Sequence, residues 1–199
     1  VSTDDGRTFA QRPAPPIHVY TMAASSSGPP AIYAGGFALE GGGAQLWRSV
    51  DGALTWQPVA TFPHPWDPGP TAGNQVTSVG VDPTDPQRLY VGLALPHHLM
   101  KSDDGGATWS RATVGLGTGA VVSIVVDPAQ PTTLYAAEHS SGVFRSTDRG
   151  DHWTALDQGL RDASLRQLLL DPNHPGRLYA GTDSGLYKVE LATGLPTGR

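Results

Sequence analysis

An eight-residue motif recurs along this chain, and its spacing constrains the fold more than any other feature. Each copy begins with serine, carries aspartate two residues later and ends with an aromatic residue. The four copies are STDDGRTF, SVDGALTW, SDDGGATW and STDRGDHW, at residues 2–9, 49–56, 102–109 and 146–153. Successive copies start 47, 53 and 44 residues apart. Such a period is typical of a chain built from one repeated supersecondary unit.

A second motif recurs with the same period, between the copies of the first. It reads DPTDPQRLYVG from Asp82, DPAQPTTLYAA from Asp127 and DPNHPGRLYAG from Asp171. A looser version, PPAIYAGG, occupies residues 29–36. Because two independent motifs share one period, the repeat is a property of the whole chain.

Within each period the hydrophobic pattern is that of short strands. Val121–Val126 is almost continuously apolar, as expected of a strand that is covered on both faces. The 25 glycines and 18 prolines among 199 residues suit many tight turns. We therefore predict an all-β fold with four antiparallel strands per period and only three in the last. The predicted units cover residues 17–62, 75–114, 120–157 and 165–191.

Together, the two motifs resemble the Asp-box, or BNR, repeat of β-propellers. That repeat is found in sialidases, xyloglucan-degrading glycosidases, sortilin-type receptors and photosystem II assembly factors. The LYxG segment is most similar to the xyloglucanase, sortilin and assembly-factor group. The resemblance covers nearly the whole chain and implies a propeller domain with about four blades of four antiparallel strands.

Residues 1–12 leave two arrangements open. They would complete the three-stranded fourth unit and close a four-bladed ring, or they belong to a blade that precedes residue 17. In the second case the chain is the C-terminal arc of a larger propeller. We favour the arc, because the chain begins inside a motif.

The resemblance implies that each box forms the turn between the third and fourth strands of a blade. The aspartate accepts backbone N–H groups in that turn, glycine permits a positive φ, and the aromatic ring fills space between blades. A catalytic centre is not normally repeated in every blade, so these residues are assigned structural roles. They are Ser2, Asp4, Gly6, Phe9, Ser49, Asp51, Trp56, Ser102, Asp104, Gly106, Trp109, Ser146, Asp148, Gly150 and Trp153. The second copy has Ala53 where glycine is expected, which predicts a turn of slightly different shape.

Basic residues also recur, one directly before each of the last three boxes. A fourth occupies the equivalent position of the last unit, where the box motif is degenerate. They are Arg48, Lys101, Arg145 and Lys188. Since long basic side chains cover apolar surface with their stems while the charge stays in water, the row predicts a solvated face.

Candidate functional residues lie in the connections on the face opposite to the box turns. In related enzymes that face carries the binding cleft. The candidates for ligand binding are Trp66, Asp67, His97, Glu138, His139 and Asp183. Asp67 and Glu138 are also the candidate catalytic residues, since glycosidases use two carboxyl groups about 5 to 9.5 Å apart. Trp66 is suited to stacking on a sugar ring.

Composition excludes several kinds of site. With no cysteine, the chain has no disulfide, thiolate zinc site or cysteine nucleophile. The formal net charge of −5 gives no electrostatic reason to expect nucleic acid as a partner. The longest apolar stretches are far shorter than the roughly 20 residues of a membrane span. We predict no cofactor and no metal site, because adjacent histidines in a strand point to opposite sides.

The leading hypothesis is a non-catalytic propeller scaffold whose loops bind a protein, peptide or glycan outside the cytoplasm. It rests on the structural role of every strongly patterned residue and on the lack of a convergent catalytic set. The alternative is a fragment of a glycoside hydrolase of the xyloglucanase or sialidase type. Sialidases usually carry an Arg-Ile-Pro motif, which this sequence lacks.

Overall fold

Fifteen strands make up the regular structure of the described residues. The computed structural model describes residues 5–8, 10–40, 43–62, 75–94, 99–156, 160, 164–174 and 176–191. Sheet 1 contains β1 (Ile17–Ala24), β2 (Ile32–Ala38), β3 (Ala44–Ser49) and β4 (Gln57–Phe62). Sheet 2 contains β5 (Val76–Val81), β6 (Leu89–Leu93), β7 (Leu99–Ser102) and β8 (Ser110–Arg111). Sheet 3 contains β9 (Val121–Val126), β10 (Leu134–Glu138), β11 (Gly142–Ser146) and β12 (Thr154–Leu156). Sheet 4 contains β13 (Leu165–Leu170), β14 (Arg177–Thr182) and β15 (Gly185–Glu190).

Each sheet is an antiparallel meander in which consecutive strands are hydrogen-bonded neighbours. Sheets 1 to 3 have four strands and sheet 4 has three, so the predicted all-β class and the blade composition are confirmed. Among the described residues no strand pairs with the free edge of β15. The described part of the chain contains no helix with the length and apolarity to cross a membrane.

The hydrophobic core is divided into three layers, one between each pair of neighbouring sheets. We call the face of a sheet that points toward the next sheet along the chain its downstream face, and the opposite face its upstream face. Each layer is formed by the downstream face of one sheet and the upstream face of the next. The tyrosine of the LYxG motif lies in the downstream face: Tyr33, Tyr90 and Tyr135 are each at most 2% exposed. Burying such side chains is the main stabilising contribution of each layer.

The first strand of every sheet, here called the inner strand, carries a β-bulge at the same position. The pairing register shifts around one extra residue, between Val19 and Thr21 in β1 and at the equivalent points of the other inner strands. The four bulge residues are Tyr20, Thr77, Val122 and Arg166. A bulge bends its strand and redirects a side chain. The four bulges therefore change the direction in which the inner strands point their side chains at this position.

Hydroxyl groups add hydrogen bonds between neighbouring inner strands. The Thr77 hydroxyl donates to the carbonyl of Val121 at 2.6 Å. The backbone N–H of Leu168 donates to Ser123 Oγ at 3.0 Å, in a buried setting. The sheets are therefore joined by specific polar contacts as well as by apolar packing.

The box motifs form the turns between the third and fourth strands of sheets 1 to 3, with one hydrogen-bond pattern. In all three turns the serine hydroxyl donates to the aspartate Oδ1 at 2.8 Å. The same Oδ1 accepts the N–H four residues further on, at 2.9, 2.8 and 2.9 Å. The turns are thus held by local bonds, and the purely structural role of the motif stays a prediction. Of the first copy, Ser2, Asp4 and Phe9 lie outside the described residues.

The turn with Ala53 keeps the main hydrogen bonds of the other turns and differs slightly from them in backbone angle. The Ala53 N–H donates to Ser49 Oγ at 2.9 Å, matching the Gly106 N–H to Ser102 Oγ at 2.8 Å. Ala53 adopts a φ of 67° and Gly106 one of 96°. The hydrogen bonds of the box therefore impose a left-handed conformation whichever residue is present.

The row of basic residues is not a uniformly solvated face. Lys101 is largely buried and forms an ion pair with Asp151, in the box of the next sheet. Lys188, in the last sheet, is half-exposed and pairs with Glu190 at 2.9 Å. The solvated-row prediction is wrong for Lys101, because the downstream face that carries this residue is covered by sheet 3.

Candidate functional site

The four inner strands line one shared pocket, called here the axial pocket, with a volume of about 470 Å³. The residues that line it are Tyr20, Thr21, Met22, Thr77, Ser78, Val79, Val122, Ser123, Ile124, Arg166, Gln167 and Leu168. All four bulge residues are among them. The bulges therefore explain why equivalent positions of four strands converge on one space.

Three polar side chains of the axial pocket stand out as available for a ligand. Tyr20 and Gln167 make no side-chain hydrogen bond within the described residues, whereas Thr77 and Ser123 are used between strands. Arg166 is the third. Tyr20 comes from β1 and the other two from β13, so the two ends of the described sheet series supply these groups.

Arg166 is held at the pocket by an ion pair with Asp183. Its Nε donates to Asp183 Oδ1 at 2.6 Å and its Nη2 to Oδ2 at 2.9 Å. This two-point contact fixes the guanidinium plane. The hydrogen bond and the positive charge of Arg166 lower the pKa of Asp183. Both partners are exposed, so the contact orients the guanidinium more than it stabilises the fold.

His139 connects sheet 3 to the start of sheet 4. Its carbonyl accepts the N–H of Leu165 at 3.1 Å, and its ring Nδ1 lies 3.2 Å from the Leu165 carbonyl oxygen. Since a carbonyl only accepts, Nδ1 carries the proton in this contact. These bonds hold His139 against the first residue of β13.

Glu138 is fully buried at the end of β10. Its Oε2 accepts the backbone N–H of Gly119 at 3.2 Å. The carboxylate therefore supports the segment that leads into β9.

The structure describes three of the six predicted binding residues. His139 and Asp183 lie where sheets 3 and 4 meet, whereas the Glu138 carboxylate contacts the segment that leads into β9. Trp66, Asp67 and His97 lie outside the described residues, so the pairing of Asp67 with Glu138 stays a prediction. Within the described residues there is no cluster of three or more histidine, aspartate or glutamate side chains arranged for a metal ion.

Sequence reasoning missed Arg166 and Tyr20. In the sequence, each of them is recognisable only as a polar or amphipathic residue within a strand whose other residues predict burial. The bulge that brings each of them into the pocket depends on pairing with the neighbouring strand. A register shift of this kind cannot be recognised from the strand's own sequence, because the residues of a bulged strand look the same as those of a regular strand.

Comparison with known proteins gave relatives at the level of the fold. No family model matches the sequence. A xyloglucanase from a Paenibacillus species is 35% identical over an alignment of 88 positions that covers 37% of this chain and 8% of that protein. The GH74 xyloglucanase from Xanthomonas campestris matches 90% of this chain and 31% of its own, with a TM-score of 0.65 and 21% identity.

YCF48 bound to D1 peptide is similar to the same extent. It matches 90% of this chain and 53% of its own, with a TM-score of 0.64 and 19% identity. The chain thus spans less than two thirds of each of these proteins, and the structural identities are too low to transfer an activity. Together with the four antiparallel sheets around one pocket, the likenesses show that the chain has a β-propeller fold.

Proposed function

We propose that this chain is a non-catalytic β-propeller scaffold that binds an extended peptide segment of a partner protein at the axial pocket. The observation that carries the proposal is the convergence of Tyr20, Arg166 and Gln167 on that pocket. These groups offer an aromatic face, a fixed guanidinium and an amide at one opening.

The chemistry of the three side chains suits a peptide. Arg166 presents N–H donors to a carbonyl or carboxylate oxygen, and its fork is already oriented by Asp183. Gln167 both donates and accepts, which matches a peptide backbone. Tyr20 is exposed and supplies apolar contact area, and tyrosine and arginine dominate the binding energy of many protein interfaces.

Two further observations support a binding role over a catalytic one. YCF48, which shares the fold, has been solved bound to a peptide. The candidate carboxylate Glu138 is buried and hydrogen-bonded to backbone, as expected of a structural group. The likeness to YCF48 is an argument from the fold alone.

The test is selection from a phage-displayed library of random peptides, followed by affinity measurement. We expect the selected peptides to bind at least about tenfold more weakly to Tyr20→Ala and to Arg166→Met, a loss of roughly 1.4 kcal/mol or more. Val114→Ala, at an exposed position beyond the outer strand β8, is the matched control and should bind normally. Equal binding by all four proteins, or no selected peptide at all, would exclude the axial pocket as a peptide site.

The second candidate function is that of a glycoside hydrolase fragment. The local identity of 35% with a xyloglucanase favours it. Xyloglucan and sialosides should be incubated with the chain and with Asp67→Ala and Glu138→Ala variants. Release of reducing sugar that either substitution abolishes would replace the scaffold proposal. Binding of xyloglucan on a glycan array without hydrolysis would keep the scaffold and make its ligand a glycan.

We also propose that the protein acts outside the cytoplasm. The support is the local likeness to a xyloglucanase and the absence of cysteine, which is compatible with export. Fractionation of the source cells with an antibody against this chain tests it, and detection only in the cytoplasm would reject it.

A further inference from the structure

The interface between sheets 2 and 3 contains a defined place for a carboxylate. Lys101 directly precedes the box of sheet 2 and forms an ion pair with Asp151, the sixth residue of the box of sheet 3. The lysine side chain is largely buried, whereas the aspartate is exposed. A basic side chain of one sheet therefore meets a carboxylate that the next box turn carries.

The interface between sheets 1 and 2 has the basic residue and lacks the carboxylate. Arg48 occupies the position of Lys101, and Ala107, the sixth residue of the box of sheet 2, occupies the position of Asp151. Arg48 and Ala107 both line one open pocket of about 260 Å³. Within the described residues, Arg48 forms no ion pair and no side-chain hydrogen bond. The pocket thus lies where the equivalent interface holds an aspartate side chain.

The polar groups around this pocket suit a negatively charged ligand. Gln57 pairs with Arg48 across β3 and β4 and also lines the pocket, where its amide can donate. An arginine binds a carboxylate through two parallel N–H donors, which is the strongest form of such a contact. The site therefore offers a guanidinium and an amide to one carboxylate.

The box of sheet 2 contains two acidic residues, and both are already engaged. Asp104 lines the pocket and accepts the backbone N–H and the hydroxyl of the box threonine. Asp103 pairs with Arg88 at 2.7 Å. In the box of sheet 3 the equivalent Asp148 makes the same local bonds beside the ion pair of Lys101. A box aspartate is therefore compatible with a further carboxylate at this place.

The turn that joins Arg48 to Gln57 also presents apolar surface. Val50 and Leu54 are 56% and 50% exposed. The corresponding positions of the box of sheet 3 are both polar. Exposed apolar side chains close to an arginine are typical of surfaces that bind other proteins.

We propose that the pocket at Arg48 binds an aspartate or glutamate side chain of a partner protein, whose neighbouring apolar residues pack on Val50 and Leu54. The carboxylate of the partner takes the place that the carboxylate of Asp151 has beside Lys101. Charge complementarity selects the ligand, and the apolar residues distinguish a polypeptide from a small anion. This site is separate from the axial pocket, which the inner strands form, and does not depend on the function proposed for that pocket.

The test is a titration followed by nuclear magnetic resonance of the isotope-labelled chain. The probe is an acetylated and amidated Gly-Leu-Glu-Leu-Gly peptide, whose only carboxylate is the glutamate side chain. We expect it to shift the amide signals of Gly105, Gly106 and Ala107 with a dissociation constant in the millimolar range. The same peptide with glutamine in place of glutamate should leave these signals unchanged. Acetate should bind at least about tenfold more weakly than the probe, because it lacks the apolar contacts.

Two variants change the site in opposite ways. Arg48→Met removes the positive charge, and Ala107→Asp, at an exposed position, supplies a carboxylate from the chain itself, as in the box of sheet 3. Each should weaken binding of the probe by at least about tenfold. Arg111→Met, at an exposed arginine of β8, is the matched control, and Tyr20→Ala is the control in the axial pocket. Both controls should bind the probe as the unmodified chain does.

Several outcomes would overturn the proposal. They are the lack of any shift at probe concentrations up to about 10 mM, equal binding of the glutamate and glutamine peptides, and normal binding by Ala107→Asp. Acetate that binds as tightly as the probe would make this a site for any small anion and reject a protein partner. Loss of binding in Tyr20→Ala with normal binding in Arg48→Met would assign the probe to the axial pocket instead.

Discussion

At the scale of single residues, the box turns show how local hydrogen bonds dictate backbone conformation. Two consecutive residues of each turn have positive φ: Gly52 and Ala53 in sheet 1, and Gly105 and Gly106 in sheet 2. The serine and aspartate of the box collect the N–H groups that this conformation exposes. A residue with a Cβ at such a position is strained by roughly 1–2 kcal/mol. Ala53 is therefore a local defect in an otherwise well-formed turn.

Replacing Ala53 by glycine should stabilise the protein. We expect Ala53→Gly to raise the free energy of unfolding by about 1 kcal/mol, since relief of strain exceeds the extra entropy of glycine in the unfolded chain. Urea denaturation measures the change. The reverse substitution, Gly106→Ala, should destabilise, because its Cβ would collide with Val59 Cγ1. An Ala53→Gly variant that is less stable than the parent would contradict this account.

The box aspartates should make stability depend on acid pH. The Thr108 hydroxyl and N–H, followed by the Ser102 hydroxyl, lower the pKa of Asp104 to about 2. Bonds from Thr55 and from the N–H of His152 lower the pKa of Asp51 and Asp148 in the same way. A carboxyl whose pKa is lower in the folded state stabilises the fold above its unfolded pKa of about 3.9, and this contribution is lost as the pH falls through the folded pKa.

We therefore expect the melting temperature to fall between about pH 4 and pH 2. Asp104→Asn should be less stable than the parent at neutral pH and should lose less stability across that acid window. Thermal melts at several pH values measure both effects. The same acid-induced loss in parent and variant would show that Asp104 is not one of the groups responsible.

At the scale of elements, the inner strands combine packing, bulges and hydroxyl bonds. Ser123 accepts the N–H of Leu168 from the neighbouring inner strand, and both groups are buried. This bond gives a backbone donor of β13 a partner outside its own sheet. It also keeps the residues beside Arg166 close to β9.

Ser123→Ala should leave that N–H without an acceptor in a buried position. We expect a loss of about 1–3 kcal/mol in the free energy of unfolding. Ser110→Ala, in the exposed strand β8, is the matched control and should change stability little. Equal stability of the two variants would mean that water or another group replaces the Ser123 oxygen.

At the scale of the whole molecule, stability is distributed over three layers between four sheets. Sheets 2 and 3 are covered on both faces, whereas sheet 4 has only its upstream face covered among the described residues. In repeat architectures each unit is stabilised mainly by its neighbours. The terminal sheet should therefore open more readily than the central ones.

Amide hydrogen exchange tests this expectation. In dilute solution, amides of β14 should exchange faster than those of β10, the equivalent strand of sheet 3, because local opening of sheet 4 breaks fewer apolar contacts. Equal protection of β10 and β14 in dilute solution would contradict the unequal covering of the sheets.

Much of the fold was predictable because its determinants are local and repeated. The box and LYxG motifs give the period, the turn positions and the three-stranded last sheet, since each turn is held by bonds within a few residues. The site was less predictable. Asp183 and His139 could be assigned to one face by strand order alone, but Arg166 and Tyr20 reach the axial pocket only through bulges.

The sequence by itself determined the all-β class, the strand order within each sheet and the positions of the box turns. These properties depend on the turn residues and the hydrophobic pattern, and both are contained in the sequence of a single repeat. Only the tertiary structure decided which faces of the sheets are covered, where Lys101 finds its partner and which side chains share the axial pocket. Those features arise from contacts between residues more than 40 positions apart. Equivalent residues of different repeats therefore have different neighbours, depending on which sheet of the series they belong to.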